Sequence, residues 1–110
     1  MSKILIVDDE VSIRDLFYDL LTRDGKQVMT ASRGEQALTL VGTEKIDLVL
    51  LDLQVPGESG LSLLKKMRLK NPLLPIVVFS GCISPELEKE AFEAGAVEVI
   101  NKSDEISVIR

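Results

Sequence analysis

At 110 residues the chain has the length of one domain, long enough to bury a core and too short for two. Its 45% apolar and 28% charged residues are the balance of a folded globular protein, which excludes a disordered chain. A net charge of −5 with no Lys/Arg cluster argues against direct nucleic-acid binding, and zero His with the lone Cys82 excludes zinc, His-based catalysis and an internal disulfide.

The first apolar run, "ILIV" at 4–7, is too short for a secretory signal and ends on the two carboxylates Asp8 and Asp9. No segment approaches the ~20 apolar residues of a membrane span. The expected setting is the cytoplasm, with no membrane contact. The first helix is then predicted from Ile13, Leu16, Phe17, Leu20 and Leu21, one apolar stripe at helical spacing, with Gly25 beyond its end. "QVMTA" at 27–31 reads as a second strand. Ser32 with Glu35 has the spacing of a capping box and introduces a second helix carrying Ala37, Leu38 and Val41, ending near Gly42.

The third strand is "LVLL" at 48–51, followed by Asp52 and a Pro-Gly loop. Leu61, Leu64 and Met67 form the buried stripe of a third helix that stops at Asn71 and Pro72. "IVVF" at 76–79 is the fourth strand and leads into Ser80 and Gly81. Ser84 as N-cap, Pro85 at the first helical position and Gly95 past the end bound a fourth helix, with Leu87, Ala91 and Phe92 inward. "VEVI" at 97–100 is the fifth strand, and Ser103 or Asp104 begins a fifth helix with about two turns of chain left.

Strands alternating with helices require a parallel sheet with right-handed crossovers and helices on both faces. The continuous apolar runs of the first, third and fourth strands suit burial on both sides. The expected fold is a three-layer (βα)5 α/β sandwich, flavodoxin-like, with strand order 2-1-3-4-5 and a truncated last helix. Residues 1–110 are expected to form that single domain.

In such sheets ligands bind at the carboxyl ends of the strands. There the chain places Asp8 and Asp9, Asp52, Ser80 and Lys102. Each has an ordinary explanation taken singly: a helix cap, a turn residue, a turn hydroxyl, a surface lysine. Together they form a pattern. Neighbouring strands lie about 4.8 Å apart, so these groups line one crevice. Carboxylates brought together repel, and a divalent cation relieves the repulsion; hard oxygen donors favour Mg²⁺. Lys102 and Ser80 add a cation and a hydroxyl suited to phosphoryl oxygens, with Asp52 as the nucleophile.

With "ILIVDDE", "LVLLDLQVPGESG", "IVVFSG" and "GAVEVINK" in this order, essentially the whole chain resembles the receiver domain of two-component response regulators. The resemblance implies that Asp52 accepts a phosphoryl group from a histidine kinase or phosphotransfer protein. It implies Mg²⁺ bound by Asp9 directly, by Asp8 through water, by Asp52 and by the backbone carbonyl of Gln54. Ser80 and Lys102 would contact the phosphoryl group, and Pro56, Gly57 and Gly60 would shape the loop after Asp52. Such a domain is a switch controlling an output domain or effector rather than an enzyme, apart from its own phosphorylation and dephosphorylation; a homodimer is compatible with it.

Two positions depart from the family. Val99 stands where an aromatic ring usually turns inward, and Ser103 where proline usually follows the lysine; without proline a trans peptide is expected there. These departures suggest an alternative, a degenerate receiver acting as a phosphorylation-independent interaction module. A Mg²⁺-dependent phosphohydrolase and a flavodoxin are weaker alternatives: the chain has little room for a substrate pocket, and "DDEVS" would repel anionic FMN.

Overall fold

The structure, a computed structural model, describes residues 2–81 and 83–102. The expected start of a fifth helix at Ser103 or Asp104, the peptide into Ser103, and Cys82 lie outside the described residues. Among those described, no helix is long and apolar enough to cross a membrane.

The chain alternates β1 (Lys3–Val7), α1 (Val11–Arg23), β2 (Gln27–Ala31), α2 (Gly34–Thr43), β3 (Leu48–Leu51), α3 (Gly60–Lys70), β4 (Ile76–Ser80), α4 (Pro85–Glu93) and β5 (Glu98–Asn101). The five strands form one sheet of order β2-β1-β3-β4-β5, parallel throughout, as the alternation predicts. The three strands with continuous apolar runs are the three central ones, and the edge strands β2 and β5 carry the exposed Gln27, Thr30 and Glu98.

Alternation along each strand sends side chains to opposite faces. Leu5, Val7, Val49, Leu51, Ile76 and Val78 join Ala37, Val41, Leu63, Leu64, Met67 and Ala91 in the main core. Helices α2, α3 and α4 therefore cover that face. On the other, α1 brings Ile13 and Phe17 against the sheet, with the Phe17 ring edge-on to Phe79 at 5.1 Å between centroids.

Three sequence expectations change. The Ser32–Glu35 capping box does not form: α2 starts at Gly34 without a side-chain cap, and the Ser32 backbone N–H donates to Gln36 Oε1 at 3.0 Å. Gln36 lies one residue further into the helix and reaches the same donor, displacing the box. Leu20 and Phe92, expected inward, are each 42% exposed. The buried residue of α1 is Ile13 and that of α4 is Ala91. Leu61 is partly buried, and Leu63 takes its place in the α3 stripe beside Leu64 and Met67. At α4 the expected cap forms, Ser84 Oγ accepting from the Leu87 N–H at 3.1 Å.

Candidate functional site

The sheet register builds the site. Val7 pairs with Leu51, so Asp8 and Asp52, the next residues of each strand, emerge level at the carboxyl edge. Ser80 pairs with Asn101, which places Lys102 immediately beyond it. The Asp52 N–H donates to Val7 O at 2.9 Å and the Asp8 N–H to Ala31 O at 3.0 Å, continuing the ladder past the strand ends.

Asp8, Asp52, Ser80 and Lys102 are the buried polar residues of the described chain, each at most 6% exposed. Their contacts account for that burial. Lys102 Nζ lies 2.7 Å from Asp8 Oδ2 and 3.0 Å from Asp52 Oδ2. Ser80 Oγ donates to Asp52 Oδ1 at 2.7 Å, and the Gln54 backbone N–H donates to the same oxygen at 2.9 Å. Asp8 Oδ1 accepts from the Glu10 N–H at 2.9 Å, while Arg14 donates to the Asp8 carbonyl at 2.8 Å. No buried side-chain polar atom among the described residues lacks a partner.

The electrostatics follow from this packing. Burial raises the Asp8 carboxyl above its ordinary range, against the lowering pull of hydrogen bonds from Lys102 and the Glu10 N–H; the charge of Asp52 raises it further. Burial by itself would lower the Lys102 ammonium, but hydrogen bonds to Asp8, Asp52 and Glu10 outweigh it and hold that group well above the usual lysine range. Lys102 is thus a permanent cation at physiological pH.

The expected residues do not all converge. Asp8, Asp52, Ser80 and Lys102 meet, and Gln54 enters through its backbone amide with its side chain exposed. Asp9 is exposed and is not one of the three carboxylates whose oxygens lie within 4.8 Å of one another; those are Asp8, Asp52 and Glu10. Glu10 escaped the sequence reading. Its one signal was its place as the third acid of "DDE", two residues from Asp8 on the turn into α1. As a donor set, three carboxylates suit a hard divalent cation.

The loop after Asp52 is held on two sides. Gly57 adopts φ +112, a conformation that favours glycine, and the Gly34 N–H donates to Pro56 O at 3.2 Å. A Cβ on Gly60 would collide with the Leu53 backbone, so only glycine lets α3 start this close to the strand end.

A parallel 2-1-3-4-5 sheet with carboxylates and a lysine at its carboxyl edge defines a regulatory rather than a classical enzymatic class, the two-component receivers. The chain belongs to that family, the response regulator receiver domain, whose model matches residues 4–110. It is 36% identical to sporulation initiation phosphotransferase F of Bacillus subtilis over 108 residues, covering 98% of this chain and 87% of that protein. It is 33% identical to a cyclic di-GMP phosphodiesterase of Thermotoga maritima over 97% of this chain, but spans only 28% of that protein. Among solved structures, a Burkholderia pseudomallei response regulator with a phosphorylated aspartic acid, calcium ion and citrate superposes with a TM-score of 0.85 at 26% identity, over 100% of this chain and 67% of that one.

Proposed function

We propose that residues 1–110 form one phosphoacceptor receiver domain in which Asp52 takes a phosphoryl group from the phosphohistidine of a histidine kinase or phosphotransfer protein. The observation that carries this reading is the buried Lys102 bridging Asp8 and Asp52 at the sheet edge, with Ser80 on the other oxygen of Asp52. In the transfer, the P–N bond of the donor breaks as a P–O bond to Asp52 forms, and the leaving imidazole takes up a proton.

The chain's own residues supply alignment and charge. The Gln54 N–H and the Ser80 hydroxyl fix one oxygen of Asp52 and leave Oδ2 facing Lys102. Lys102 neutralises negative charge that gathers on the phosphoryl oxygens. Mg²⁺ would be held by Asp52, by Asp9 and Asp8 at the end of β1, and by the Gln54 carbonyl; when bound it neutralises further phosphoryl charge. The phosphorylated aspartate of the Burkholderia relative supports the assignment of this chemistry to the family site. The readout is a conformational switch acting on an output domain or effector, in a cytoplasmic setting. Packing carboxylates around a buried lysine brings no gain to a constitutive interaction module, so the degenerate reading is disfavoured.

The test is intact mass after incubation with phosphoramidate and Mg²⁺. An adduct of about 80 Da, the mass of one phosphoryl group replacing a proton, is expected on the wild type. It should vanish in EDTA and in Asp52→Asn. A folded wild type that gains no mass would overturn the reading.

A further inference from the structure

Glu10 occupies the N-cap position of α1, where a side-chain oxygen ordinarily accepts from the first turn of the helix. Here the side chain makes no such bond. Its carboxylate reaches Lys102 instead, Oε1 lying 3.0 Å from Nζ. The ammonium has three protons, and Asp8, Asp52 and Glu10 are its three acceptors.

The three acceptors differ in kind. Asp8 and Asp52 are buried, and each is anchored from its other oxygen: Asp8 Oδ1 by the Glu10 N–H, Asp52 Oδ1 by Gln54 and Ser80. The Glu10 side chain is 56% exposed, and Lys102 is its carboxylate's partner among the described residues. A phosphoryl group bound for Asp52 arrives from solvent. Two of the three contacts of Lys102 are buried, so the group meets the ammonium on the side that Glu10 covers.

We propose that Glu10 is a positioning residue that latches Lys102 in the resting protein, its carboxylate standing where an incoming phosphoryl oxygen must bind. The inference rests on the phosphoacceptor reading and adds to it the residue that sets how readily the site fills. A partly exposed ion pair contributes little to the fold, which suits a contact that is displaced in every cycle. The same carboxylate opposes an anionic donor by like charge.

The test uses the full chain as wild type, Glu10→Gln and, as a control for charge alone, Asp19→Asn on the exposed face of α1. Two quantities are measured: the rate of adduct formation against phosphoramidate concentration at saturating Mg²⁺, and the rate of reductive methylation of Lys102 without metal, followed at alkaline pH where the neutral amine that reacts is most populated. In Glu10→Gln the half-saturating donor concentration should fall roughly two- to fivefold, the span of a partly exposed ion pair. Lys102 should methylate faster by a similar factor, and Asp19→Asn should match the wild type in both. Unchanged methylation in Glu10→Gln, with the wild type still phosphorylated, overturns the latch alone. Slower uptake in Glu10→Gln also overturns it and marks Glu10 as a cation ligand. No adduct on any variant overturns the phosphoacceptor reading and the latch with it, even if Lys102 methylates faster.

Discussion

Asp8 and Asp52 sit in the same buried crevice and share Lys102, yet their surroundings differ. Asp52 has one oxygen satisfied twice, by a backbone N–H and a hydroxyl, whereas burial raises the Asp8 carboxyl. The sign of the resulting pH dependence is fixed. A carboxyl whose folded value lies above its unfolded value of 3.8 stabilises the fold at acid pH, and that contribution is lost as pH rises through the raised value. In metal-free protein, Asp8→Asn should therefore gain stability relative to the wild type as pH climbs from 3.8 to neutrality. Urea midpoints measured across that range check it; parallel curves for the two proteins would contradict the assignment. The strand-end residues were legible because continuous apolar runs mark where each strand stops, and the next polar residue then has one place to be. Glu10 was not legible, because its role depends on how far a flexible side chain reaches from a turn, which periodicity does not encode.

Among the elements, the helices show where sequence signals compete. Ser84 and Ser32 both look like N-caps, but Ser84 accepts from Leu87 while Ser32 lies outside its helix and makes its contact through the backbone. Ser84→Ala should lower stability by about 0.5–2 kcal/mol, and Ser32→Ala should change it by less than about 0.5 kcal/mol. A thermal melt of each variant separates the cases, and equal losses would refute the cap assignment. Within α3, Leu64 is fully buried and Leu69 is 82% exposed. Leu64→Ala is expected to cost about 2–5 kcal/mol in chemical denaturation and Leu69→Ala within about 0.5 kcal/mol of nothing. Helix existence and order were readable from the stripes alone. Which members of a stripe are buried was not: Leu20 and Phe92 have helical spacing, yet each is 42% exposed.

The whole molecule ties chemistry to folding through charge. Three carboxylates within 4.8 Å of one another and one ammonium leave the strand ends net negative, a local cost that the proposed divalent cation would offset only in the folded state. Mg²⁺ at tenfold over its dissociation constant should raise unfolding free energy by about 1.4 kcal/mol, and chelation should reverse it. Asp52→Asn should shrink that increment while leaving the metal-free fold at least as stable, since it removes one of the crowded charges; calorimetry with and without EDTA reads both. A larger Mg²⁺ increment in Asp52→Asn would count against this site as the seat of the cation. The parallel α/β class followed from the alternation of runs, whereas the order 2-1-3-4-5 was one arrangement among the few compatible topologies and is given by the sheet itself.

The separations in that cluster also order events in time. Lys102 lies 92 residues from Glu10 and 50 from Asp52 along the chain, so the carboxylates leave the ribosome long before their counter-ion does. A nascent chain that has made β1 and β3 holds that acidic edge before Lys102 exists to pair with it, and the pocket closes only when β5 is laid beside β4. The ion pairs of Lys102 with Asp8 and Asp52 thus form only after nearly the whole of the described sheet has been synthesised.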